Sequence, residues 1–172
     1  MRTKHSTRIF IGIDNGVSGS IGIIIVSPFS KVSHFTSMPT FSQQNYTKAK
    51  KNITRVDHEK LYDILQLDSY VGAEIILERP MVNPTRFQAT QSALRALEAT
   101  LIILEELRLS ISYIDSKEWQ KVLLPQGTKG TPELKKASID IGIRLFPEHR
   151  EAITRHKDAD GLLLAEYCRR TR

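Results

Sequence analysis

The stretch from Arg8 to Val26 constrains this chain most. Arg8 to Asp14 reads RIFIGID, rich in Ile and Phe, and stops at Asn15-Gly16; Gly19 to Val26 then reads GSIGIIIV, a second β-branched run. Asn-Gly between two such runs is a strong turn signal, so the chain opens as two strands joined by a tight glycine-rich turn. Lys31 to Met38 (KVSHFTSM) roughly alternates apolar and polar residues and is followed by Pro39, which predicts a third strand completing a meander.

The rest of the chain must cover that sheet. Thr40 to Arg55 is polar, contains no acid and carries Lys48, Lys50, Lys51 and Arg55, and reads as a basic exposed loop. Asp57 can cap a helix with Leu61, Ile64 and Leu65 on one face, ending before Gly72. Ala73 to Glu78 (AEIILE) is a nearly continuous apolar run suited to a central strand covered on both faces. Beyond Pro80 and Pro84, Gln88 to Leu107 reads as a long helix whose Leu94, Leu97, Leu101 and Leu104 form a stripe that packs either on the sheet or on a second copy. Ala93, Ala96 and Ala99 leave room for a close approach.

Ser110 to Asp115 resembles another strand, and Ser116 with Glu118 starts a short helix containing Trp119, read as a packing residue. After a loop from Pro125 to Thr131, Thr131-Pro132-Glu133 caps and opens a helix to about Phe146, and a last helix runs from about Asp158 to Arg170 with Leu162, Leu163 and Tyr167 inward. The expected class is α/β: a mixed β-sheet, a three-strand meander followed by α-β-α-β, with helices on both faces. Its 172 residues suit one domain, 1–172, with residues 1–7 as a flexible basic tail.

Composition excludes several classes. A single cysteine, Cys168, makes neither an internal disulfide nor a cysteine-based zinc site. No segment approaches 18 uninterrupted apolar residues and the N-terminus lacks a signal-peptide pattern, so the expectation is a soluble, intracellular chain without a membrane partner. Lys and Arg number 25 against 19 Asp and Glu, a net +6 that serves either solubility or nucleic-acid binding depending on where it lies.

Three acidic features carry chemistry. Asp14 ends the first strand and Glu78 the central one, where a carboxylate after an apolar run is costly unless something cationic meets it. The third is His156-Lys157-Asp158-Ala159-Asp160 at the head of the last helix. On a continuous helix Asp158 would stand roughly 200° from Asp160 while His156 shares its face. Carboxylates converging on one sheet edge repel one another unless they share a cation, and hard oxygen ligands select Mg²⁺ or Mn²⁺. A pair of such ions is suited to phosphodiester hydrolysis.

With those residues in view, IGIDNGVSGSIGIIIV, IILERP and HKDADGLLLAEYCRR resemble the motifs of RuvC-like Holliday-junction resolvases of the ribonuclease H-like superfamily, especially the phage and organellar branches. By position, Asp14 matches the first-strand Asp, Glu78 the Glu of the central strand and Asp160 the last helical carboxylate. The family usually has a further Asp or His three or four residues before that acid; Lys157 stands at minus three, which leaves His156 or Asp158 for the fourth place. The resemblance implies a homodimer that cuts a four-way DNA junction by symmetric paired nicks, with Mg²⁺ or Mn²⁺, two ions per site, and no small-molecule cofactor. His156 would act as general base if it lay beside the attacking water.

DNA contacts are expected from Lys48, Lys50, Lys51, Arg55, Arg86, Lys117, Lys121, Lys129, Lys135 and Lys136, which can meet phosphates. Phe87, near the start of the long helix, is either a wedge at the junction centre or core packing. The alternatives are another nuclease of this fold, acting on branched DNA or an RNA–DNA hybrid, and a catalytically silent DNA-binding domain. A DEDD exonuclease would want an acid where Gly16 stands.

Overall fold

In a computed structural model of the chain, residues 7–67, 70 and 72–172 are described; the tail expected over 1–7 lies outside them apart from Thr7. The meander forms as β1 (Arg8–Ile13), β2 (Ser20–Val26) and β3 (Lys31–Ser37), with antiparallel pairing throughout. Asp57 caps α1 (His58–Leu65) by accepting the Lys60 N–H, and β6 (Glu74–Glu78) then inserts parallel to β1. A long helix, α2 (Phe87–Glu106), returns the chain to β7 (Ile111–Ile114), parallel to β6. The main sheet has the order β3-β2-β1-β6-β7.

The segment expected as a loop, Thr40 to Arg55, instead forms a hairpin of β4 (Thr40–Gln44) and β5 (Asn52–Val56), a separate two-stranded sheet. Its polar composition hides it: Phe41 and Ile53 are half-buried and Val56 is buried, while Ser42, Asn52, Thr54 and Arg55 face solvent. The turn is local chemistry, with the Asn45 side chain accepting from the Thr47 N–H and Lys50 in the left-handed region at φ 49°.

Period-two alternation sends the two faces of β1 to different cores. Ile9, Ile11 and Ile13 join Leu61, Leu65, Ile103 and Leu104 under α1 and α2. Phe10 joins Trp119, Ile141, Phe146 and Leu162 on the opposite face, under α3 (Ser116–Leu123), α4 (Thr131–Leu145) and α6 (Asp160–Thr171). Asp115 and Glu118 form a capping box on α3, and Trp119 is fully buried. Thr131 is the first residue of α4 rather than its cap; Gly130 at φ 88° precedes it.

Two further expectations are corrected. On α2 the stripe packs on the sheet through Leu104, Leu97 and Leu101, but Leu94 is exposed, and the buried positions also include Ala96, Ile103 and Thr100, whose hydroxyl donates to the Ala96 carbonyl. The C-terminal helix begins at Asp160, not Asp158, and a separate helix, α5 (Arg150–His156), precedes it. Lys157 adopts φ 72° and breaks the run.

Candidate active site

Strand register brings the first two acids to the same end of the sheet. Ile13 lies opposite Leu77 in the parallel pair β1 and β6, so Asp14 and Glu78 leave adjacent strands at their carboxyl ends. Asp160 arrives on α6 and Asp158 just ahead of it, and α6 sits almost on the strand backbones. Gly12 and Gly22 pair across β1 and β2, and a Cβ on Gly12 would stand 2.3 Å from the Ala165 nitrogen, one on Gly22 2.4 Å from the Leu162 Cα. No other residue permits that approach. The buried Ser20 hydroxyl accepts the Gly161 N–H at 3.0 Å, and buried Ser138 on α4 accepts the Ala159 N–H at 2.9 Å while donating to Asp160 Oδ1 at 2.5 Å.

One oxygen from each of Asp14, Asp158 and Asp160 lies within 4.8 Å of the others, a spacing that can hold a metal ion. The break at Lys157 makes this possible. Asp158 lies in the non-helical link before α6, so the helical-face argument that set it apart from Asp160 does not hold, and it is Asp158 rather than His156 that joins the group. Glu78 stands next to this trio. Its nearest supports are Ser116 and Trp119; the buried Trp119 indole N–H faces Glu78 without the alignment of a hydrogen bond, yet still favours the charged form.

The electrostatics are those of acids held together against their preference. Burial, then the charges of Glu78, Asp160 and Asp158, push Asp14 well above the usual carboxylate range. Burial and the Asp160 charge lift Glu78 to about 7. Burial and Asp158 lift Asp160 to about 6, against the Ser138 hydrogen bond and Lys135. A divalent cation would reverse each of these shifts, and an all-oxygen donor set fits Mg²⁺ or Mn²⁺.

His156 ends α5 behind Asp158. Its Nδ1 is 2.9 Å from Ser37 Oγ and its Nε2, closed to solvent, is 3.3 Å from Asp158 Oδ1. Both ring nitrogens thus face protein groups, Ser37 on one side and Asp158 on the other.

The basic candidates Lys48, Lys50, Lys51, Arg55, Arg86, Lys117, Lys121, Lys129, Lys135 and Lys136 are all exposed. Lys48, Lys50 and Lys51 lie on the β4–β5 turn, and Lys117 and Lys121 share a face of α3. The charge of Lys135, on α4, reaches both Asp14 and Asp160. Phe87 is exposed at 71%, which removes the core-packing alternative. Sequence reasoning missed Ser20, Ser37, Ser138 and the seating role of Gly12 and Gly22, because isolated serines and strand glycines carry no local signal of a partner far along the chain.

The sequence matches no protein-family model and no curated protein. Two solved structures of Thermus thermophilus RuvC are similar to the chain. One, in complex with a Holliday junction substrate, aligns with TM-score 0.52 at 13% identity over 93% of this chain and 91% of that one. The chain has a RuvC-like fold. The other, of RuvC itself, gives TM-score 0.52 at 12% identity over 92% of each chain. The RuvC-like arrangement is the expected ribonuclease H-like mixed sheet, and it puts the acids at the carboxyl ends of β1 and β6, where open α/β sheets bind their ligands. Among the described residues, no helix is long and apolar enough to cross a membrane.

Proposed function

We propose that the chain is a structure-selective endodeoxyribonuclease that resolves four-way DNA junctions, acting as a homodimer that makes symmetric paired nicks. One observation carries the reading: Asp14, Asp158 and Asp160 converge beside Glu78, on a fold similar to a RuvC that has been solved with a Holliday junction. The motif resemblance favours the phage and organellar branch, with residues 1–172 acting as one nuclease domain inside the cell.

Asp14, Asp158 and Asp160 would hold one divalent ion, and Asp14 with Glu78 a second. When bound, such ions lower the pKa of an attacking water and neutralise the leaving 3′ oxygen. Ser138 fixes Asp160 by its hydroxyl, and the seat of α6 on Gly12 and Gly22 fixes where that acid stands. Lys135 supports the scissile phosphate, since its charge reaches the same carboxylates. The lysines of the β4–β5 turn, with Arg55, Arg86, Lys117, Lys121, Lys129 and Lys136, track the arms as phosphate contacts. Exposed Phe87, one residue beyond Arg86, supports an unstacked base pair at the crossover.

Incubation with a labelled four-way junction and a matched duplex, each with Mg²⁺, tests the reading. Paired nicks confined to the junction are expected. Equal cutting of both substrates would favour a nuclease of this fold without junction selectivity.

A further inference from the structure

Asp158 occupies the short link between α5 and α6, where no helical backbone fixes its rotamer. Something else must aim it. Two contacts fall on its Oδ1: the Asp160 N–H at 3.4 Å and His156 Nε2 at 3.3 Å. His156 is itself tightly held. Its side chain is 11% exposed, the Phe35 ring meets it edge-on at 5.7 Å and 75°, and Ser37 Oγ at the end of β3 reaches Nδ1 at 2.9 Å.

The tautomer is set by that geometry. A neutral imidazole carries one N–H, and the nitrogen without it accepts. The Asp158 carboxylate can only accept, which places the ring hydrogen on Nε2 and leaves Nδ1 to accept from the Ser37 hydroxyl. The opposite tautomer would set a lone pair against a carboxylate oxygen. Nε2 has no aligned partner in this state, and buried polar atoms of that kind are rare.

We propose that Ser37 and His156 are a positioning pair for Asp158: Ser37 supports the His156 tautomer, and His156 pins Oδ1 so that Asp158 presents its other oxygen to the divalent ion. This rests on the reading of Asp158 as a metal ligand. Ser37 thereby ties the third strand of the meander to a site built from β1, β6 and α6. Groups that orient a ligand in this way typically change metal affinity by about 10- to 100-fold when removed.

The test uses the full chain without DNA. Long-range ¹H–¹⁵N correlation of the metal-free protein is expected to find His156 protonated on Nε2. Ser37→Ala weakens that preference, which the Asp158 carboxylate alone then supports, and weakens Mn²⁺ binding, read by calorimetry, by about 10-fold. Ser37→Thr keeps a hydroxyl and restores both readouts, and His156→Ala weakens Mn²⁺ by about 10-fold or more. A hydrogen on Nδ1 in the wild type, unchanged Mn²⁺ affinity in Ser37→Ala and His156→Ala, or no recovery in Ser37→Thr each overturns the proposal. Wild-type protein that binds no Mn²⁺ would overturn the metal-site reading and this role with it, whereas normal binding that the variants leave untouched overturns this role alone.

Discussion

Replacing Asp160 with Asn should stabilise the metal-free protein while destroying its site. Asp160 is lifted from an ordinary value of 3.8 to about 6, first by burial and then by the Asp158 charge. At about 1.4 kcal/mol per pH unit, holding it ionised costs the folded state about 3 kcal/mol. The neutral amide removes that cost and keeps an acceptor for Ser138, whose bond to the ionised carboxylate is already counted in the shift. The gain is therefore about 3 kcal/mol, or a urea midpoint higher by about 1–3 M for a slope of about 1–3 kcal/mol/M.

The pH dependence is fixed by the sign of the shift. A group whose folded pKa is raised contributes its stability below the unfolded value and loses it as pH rises through the folded one. The gain from Asp160→Asn is therefore full at about pH 8, shrinks through about pH 6 and vanishes below about pH 4. Mg²⁺ should stabilise the wild type more than the variant, since only the wild type keeps the full ligand set. The assay is urea unfolding at about pH 8 and about pH 5, with and without Mg²⁺. A variant less stable than wild type at the higher pH in EDTA would refute the reasoning, showing that the Ser138 bond outweighs the repulsion.

Other perturbations probe separate parts of the structure. Asp14→Asn and Glu78→Gln should each abolish Mg²⁺-dependent junction cleavage yet leave junction binding in EDTA intact by gel shift; surviving activity would remove that residue from the site. Lys135→Gln should lower the cleavage rate by about 100-fold, as loss of one electrostatic contact to developing charge does, with junction affinity little changed. Gly22→Ala should cost more than about 3 kcal/mol in urea unfolding, because its Cβ would meet the Leu162 backbone at 2.4 Å and lift α6 off the sheet. Glu166 is buried and, although burial alone would raise it, hydrogen bonds from Arg169 and Arg170 and the charge of Lys31 hold it at about 2. Glu166→Gln should therefore lower stability at about pH 7 by about 1–3 kcal/mol. That difference should disappear in acid, as pH falls from 4.5 through about 2.

Local signals in the sequence determined the meander, the two parallel strands, the long helix and the chain positions of Asp14, Glu78 and Asp160. Each rests on neighbours within a few residues: Asn15-Gly16 for the first turn, the apolar run before Glu78, Asp57 ahead of Leu61. The β4–β5 hairpin escaped because its inward residues are too few to mark a period among polar ones. Only the tertiary structure brought Asp158 to the other acids. Asp158 joins Asp14 and Asp160 because Lys157 turns into the left-handed region and ends α5, and a helical wheel cannot represent a backbone that leaves the helix between two residues being compared. Only packing could reveal why α6 stands where it does, since Gly12 and Gly22 are adjacent through strand pairing and their role is the absence of atoms under another element. The residue types that can bind a cation are therefore legible one by one, but their convergence depends on register, close approach and one broken helix, none of which any residue encodes alone.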